Sequence, residues 1–92
     1  MSPTFEFDPQ KDAANQAKHG LSLARIRDAV WPPDLAARDA RRDYGEVRWY
    51  AFLRLDERVH VAIFTYRGDV VRVISLRKAN PREVELYNEQ LS

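Results

Sequence analysis

Apolar residues recur along the chain at two different periods, and the change of period divides it. Thr4 to Phe7 brings β-branched and aromatic residues together and stops at Asp8-Pro9, which predicts a short strand. Asp8 is a good N-cap, and Pro9 fits a first helical position, where its missing N–H costs nothing. A helix is therefore predicted from Pro9 to about Lys18, ending at His19-Gly20. Its alanines (Ala13, Ala14, Ala17) suit close packing against a neighbour. Gly20 supplies the left-handed residue that closes a helix, and Lys18 and His19 complement the negative end of its dipole. Leu21, Leu23, Ile26, Ala29 and Val30 then recur at helical spacing behind Ser22 as cap, predicting a second helix that Trp31-Pro32-Pro33 stops. Residues 34–45 are charged and read as a loop with a short edge strand near Leu35 to Arg38.

From Glu46 the period is two. Val47, Trp49, Ala51, Leu53 and Leu55 share one face of a strand, and Glu46, Arg48, Tyr50, Phe52 and Arg54 share the other. Asp56-Glu57 turns the chain. Val59, Val61, Ile63 and Thr65 alternate with His60, Ala62, Phe64 and Tyr66; Gly68-Asp69 turns again, and a third strand runs from Val70 to about Arg77. Asn80-Pro81 starts a last helix, to about Glu89, with Val84, Leu86 and Tyr87 as its apolar positions. The order is β-α-α-(β)-β-β-β-α. It predicts an α+β fold in which an antiparallel β-sheet meander carries two N-terminal helices and one C-terminal helix.

Composition narrows the class. A chain of 92 residues is read as one domain, 1–92, with a thin stability margin. An apolar fraction of 45% and an aromatic fraction of 11% suffice for a core and argue against disorder. Without cysteine the fold must hold by packing alone, which suits a reducing compartment. No stretch approaches a membrane span, and Met1 to Asp8 has no basic segment leading into an apolar run, so a cytoplasmic protein without membrane attachment is expected. The net charge of +1 hides a local excess: Tyr66 to Arg82 carries Arg67, Arg72, Arg77, Lys78 and Arg82 against Asp69 alone. Such a run is either a solvated face or an anion-facing surface. No metal-ligand spacing, glycine-rich phosphate loop or Ser–His–Asp pattern can be read, and no cofactor is expected.

Three segments, taken together, resemble one family. "FEFDPQKDAANQAKHGLSL", "GEVRW" and "RVISLRKANPREVELY" are similar, in order and spacing, to the BrnT toxins, which read F-E-W-D-P-x-K-x-x-x-N-x-x-K-H-G-V-S-F, then G-E-x-R, then R-I-I-S-A-R-K-A and a helix with E-x-x-x-Y. The resemblance covers nearly the whole chain. It implies a RelE-like fold, cleavage of mRNA that arrests translation, and neutralisation by a partner antitoxin of the ribbon-helix-helix type (BrnA-like). Operator DNA would be met only through that antitoxin, in a pair that represses its own promoter. The chain departs from the pattern in places, among them Phe7 for Trp, Leu76 for Ala, and Trp31-Pro32-Pro33 for F-x-D-P. Leu76, if it faced the site, would narrow it. That motivates the alternative of a catalytically inactive toxin-like module that serves only as antitoxin partner or co-repressor.

Metal-independent RNA cleavage needs a group to take the 2′-hydroxyl proton, cations to stabilise the phosphorane-like transition state, and a proton for the leaving 5′-oxygen. Glu46 is a candidate base. Arg48 and Arg72 are candidate clamps, because guanidinium forks match phosphate oxygens. Glu46 and Arg48 are two apart on a strand and so share a side; Arg72 and Lys78 share a side of theirs, and the cluster is expected on the outer sheet face, away from the first two helices. Arg77 has the opposite parity; it is either at a strand end or paired with a carboxylate such as Glu83. His19 is either a general acid or base, with Lys18 as a phosphate contact, or one of two cations finishing a helix. His60 reads as a packing or surface residue. Tyr50, Phe52, Phe64 and Tyr66 would share the outer face with the cations, there to stack bases or to be covered by a partner. Tyr87 either completes the site with Glu83 or packs its helix onto the sheet. Lys78 is a secondary phosphate candidate.

Overall fold

The computed structural model describes residues 3–41 and 43–92. Its strands are β1 (Thr4–Glu6), β2 (Leu35–Arg38), β3 (Trp49–Leu55), β4 (Arg58–Arg67) and β5 (Val70–Lys78); its α-helices are α1 (Pro9–His19) and α2 (Pro81–Leu91). One sheet holds all five strands in the order β1-β5-β4-β3-β2. β2 to β5 form the expected antiparallel meander, including the edge strand at Leu35–Arg38. β1 corrects the rest: it lies parallel to β5, Phe5 opposite Val71, so the sheet is mixed. Residue pattern identifies a strand but not its direction, and the long stretch between β1 and β5 is the crossover that a parallel pair requires.

Local chemistry sets the helix ends. The Asp8 carboxylate accepts from the Gln10 N–H at 2.7 Å, Pro9 opens the first turn, and Gly20, at φ 67°, donates its N–H to the Gln16 carbonyl. A residue with a Cβ would be strained in that left-handed conformation. The second helix is corrected to a six-residue 3₁₀ helix, Leu23–Asp28, capped by Ser22. Three residues per turn suffice to put Leu23 and Ile26 on one side, and those two alone are buried on it. Val30, expected on the apolar face, is exposed. The alanines of α1 are exposed too; its buried residue is Asn15.

A bulge decides which way the last strand's side chains point. β4 and β5 pair Ile63 with Ser75 but Phe64 with Val73, so Ile74 is an extra residue on β5. Because strand side chains alternate strictly, one added residue reverses parity beyond it. Val71, Val73 and Leu76 therefore all enter the core formed with Leu23, Ile26 and Phe5, on the side of the 3₁₀ helix. Arg72, Ser75 and Arg77 take the opposite side. There α2 covers one end, with Tyr87, Phe52, Val61 and Ala79 as a second cluster.

Candidate functional site

Beside α2, the uncovered part of that second face is a cavity of about 280 Å³. Val61 and Ile63 of β4 lie beneath it, Arg48 and Tyr50 stand at the start of β3, and Ser75 and Arg77 come from β5. The segment after β2 contributes Asp39, Arg41 and Tyr44, and the last turn of α1 contributes Lys18 and His19. Lys18, Arg41, Arg48 and Arg77 thus meet there; among the described residues Asp39 is the one carboxylate lining the cavity, while Glu46 and Glu83 bond Arg48 and Arg77 from its edge. Such a concentration of donors favours a polyanion.

Each arginine is aimed by its neighbours. Arg77 grips Glu83 at the start of α2 with two bonds, 2.7 and 2.9 Å, and Glu83 also accepts from the Tyr50 hydroxyl at 2.7 Å. The same carboxylate closes the capping box of α2, accepting from the Asn80 N–H at 2.9 Å. The Arg77 guanidinium, ahead of these other bonds, pulls Glu83 from 4.5 down to about 2. Burial first, then the bond to Glu83, pushes the Tyr50 hydroxyl up. Arg48 bonds Glu46 at 3.0 Å and lies over the Tyr44 ring at 4.2 Å. Asp39 is buried beneath Arg41, which bonds both its oxygens, 2.8 and 2.9 Å, and draws it down to about 2. His19 is pushed below its ordinary pKa by burial first and then by the Lys18 and Arg77 charges, which favours the neutral ring.

Of the residues singled out from sequence, Lys18, His19, Arg48, Tyr50 and Arg77 line this one cavity, and Glu46 is tied to its rim through Arg48. The end of α1 borders the cluster, contrary to the expectation that it lies away from the first two helices. Arg77 is paired with Glu83 and shares the cavity face because the Ile74 bulge reverses its parity. The same bulge removes Lys78, which pairs with His60 and takes the other side. Arg72 does not line the cavity; it lies farther along β5, between Thr65 and Glu6, and forms an ion pair with Glu6 at 3.4 Å. Phe64 and Tyr66 are also corrected: Phe64 sits opposite Trp49 and against the Trp31 ring at 5.3 Å, and Tyr66 follows it onto that face. Tyr87 packs on Phe52 and donates its hydroxyl to Asp34, so it fastens α2 and does not line the cavity. His60 is a buried packing residue whose Nδ1 lies 2.9 Å from the Arg58 carbonyl.

Leu76 is fully buried in the opposite core and does not narrow the cavity. Sequence reading missed Asp39, Arg41, Tyr44 and Ser75. The only trace of the first three was a charged loop just before "GEVRW". Among the described residues no group of three or more His, Cys, Asp or Glu is placed to hold a metal ion. No described helix is long and apolar enough to cross a membrane.

Compared with known protein families, residues 7–83 match the family described as ribonuclease toxin, BrnT, of type II toxin–antitoxin system. No curated protein matches the chain.

Proposed function

Because the chain belongs to the BrnT ribonuclease toxins of type II toxin–antitoxin systems, we propose that it is a metal-independent endoribonuclease that cleaves mRNA and arrests translation, with its reaction carried out in the cavity between β3, β5 and the end of α1. One observation carries this reading: Lys18 at the end of α1, Arg48 just before β3 and Arg77 on β5 line one cavity with a histidine whose surroundings favour its neutral form. His19 takes the 2′-hydroxyl proton, and the freed oxygen attacks the adjacent phosphorus. Arg48 and Arg77 hold the non-bridging oxygens as charge develops there. The P–O5′ bond breaks, and the Lys18 ammonium gives its proton to the leaving oxygen. The products are a 2′,3′-cyclic phosphate and a 5′-hydroxyl. Glu46 fixes the direction of Arg48, and the Tyr44 and Tyr50 rings offer faces to the flanking bases.

A type II toxin has a protein antitoxin as partner. We propose further that this partner is of the ribbon-helix-helix, BrnA-like type, that it reaches operator DNA on the pair's behalf, and that the whole chain works as one cytoplasmic domain. The test is cleavage of a single-stranded RNA by the purified chain in excess chelator. Products ending in cyclic phosphate support the reading, as does full resistance of the same RNA carrying a 2′-deoxy sugar at the cleaved position. Cleavage that needs added metal, or that persists at the deoxy position, refutes it.

A further inference from the structure

Asn15 is polar and buried, and it lies outside the cavity described above. Its side-chain amide donates to the Leu76 carbonyl at 2.7 Å and to the Leu21 carbonyl at 2.8 Å, and its Oδ1 accepts from the Leu76 N–H at 3.2 Å. One side chain therefore satisfies both backbone groups of a strand residue, as a neighbouring strand would. It does so where β1 has ended, since β1 covers only Val70 to Arg72 along that edge of β5. Leu76 is also the first core residue after the Ile74 bulge, flanked by the two side chains, Ser75 and Arg77, that enter the cavity.

The same residue also lies beside the other half of the site. Lys18 and His19 follow Asn15 by three and four positions, so all three share one face of α1. They line a shallow cleft together with Ile74 and Ser75. The bond to Leu21 adds the segment that leaves α1, so helix end, exit and strand edge meet on a single amide. An apolar residue here would leave those backbone groups without partners in a buried setting, which a strand edge avoids by moving.

We propose that Asn15 is the positioning residue of this site: by holding both backbone groups of Leu76 it keeps β5 in the bulged register that turns Arg77 into the cavity, and from the same helix face it sets Lys18 and His19 against it. Its consequence for catalysis rests on the ribonuclease reading; its geometry does not. The decisive experiment follows the His19 ring pKa by NMR in the full chain and in Arg77→Gln, Asn15→Ala and the double variant. Among the described residues, Lys18, Arg41, Arg48, Arg77 and Asp39 are the charged groups lining the cavity with His19, Lys11 lines the cleft beside it, and of these only Arg77 owes its direction to the β5 register.

Arg77→Gln raises the ring's pKa in the otherwise unchanged chain, by relieving a repulsion, and produces no rise once Asn15 is alanine. An equal rise in both backgrounds makes Asn15 a purely structural residue and overturns the proposal. Should Asn15→Ala fail to fold, Asn15→Ser, which keeps a hydroxyl at the position, is read by the same comparison. A chain that cleaves no RNA defeats the ribonuclease reading alone, because the titration still decides the role of Asn15.

Discussion

Replacing Glu83 with glutamine removes one charge and almost no volume, and the structure fixes what the change should cost. The carboxylate is half-buried, gripped in two bonds by Arg77, and bonded by the Tyr50 hydroxyl and the Asn80 N–H. Its pKa falls from 4.5 to about 2, and at ~1.4 kcal/mol per unit the ionised form stabilises the fold by about 3 kcal/mol at neutral pH. A depressed carboxylate contributes fully above its unfolded pKa and loses that contribution as pH falls through its folded one. Near pH 3 the contribution has dropped to about 1 kcal/mol, and below pH 2 it is gone. Urea unfolding of the native chain and Glu83→Gln should therefore differ by about 3 kcal/mol at pH 7, or on the order of 10–20 °C in Tm for a chain of this size, and converge in acid. Taking the difference between the two proteins cancels Asp39, which titrates in the same range in both. A gap that is independent of pH would refute the reasoning, because it would place the cost in lost packing or in the helix cap.

Leu76→Ala should destabilise the fold by about 2–5 kcal/mol, seen as a lower urea midpoint, and should not raise the specific activity, since this side chain fills the core opposite the cavity. Lys78→Ala and Tyr66→Ala, both on that opposite side, should change RNA cleavage by less than about threefold, against roughly a hundredfold or more for Arg48→Ala; comparable losses in all three would return the site to the broader surface read from sequence. His19→Ala should lower kcat/KM by about 10²–10⁴ and abolish the acid limb of the pH profile. In the native chain that limb should fall below pH 6.5, because a ring held neutral by burial and two cations keeps its base form further into acid; a limb unchanged in the variant would remove His19 as the base.

Much of the architecture is legible because it rests on local rules. The period-two alternation places β3, β4 and β5, Asp8-Pro9 and Asn80-Pro81 start both α-helices, and even the short β2 is visible between proline and charge. Sidedness on β5 is not legible. Ile74 is one more apolar residue in an apolar run, nothing marks it as the unpaired one, and on it hang the faces of Arg77 and Lys78. On β4 the alternation is correct but two-fold ambiguous, and the pairing of Phe64 with Trp49 resolves it against Tyr66 as a cavity residue. K-H-G reads equally as a helix end and as chemistry, and here it ends α1 and lines the cavity at once. Asp39, Arg41 and Tyr44 escape because a loop without periodicity brings them together. Asn15 escapes for another reason: a polar residue in a polar helix gives no sign that it is buried.

Whether the cavity itself cleaves RNA is decided by inducing the chain alone in bacterial cells, with total RNA sampled before growth slows. The best comparison is Lys18→Ala combined with Arg48→Ala, since neither change strips the half-buried Glu83 or the buried Asp39 of its partner. Early RNA loss and growth arrest are expected from the native chain, and intact RNA with normal growth from a folded double variant at equal level. Arrest that survives in the folded double variant, or undisturbed growth and RNA with the native chain folded and abundant, would contradict cleavage in this cavity.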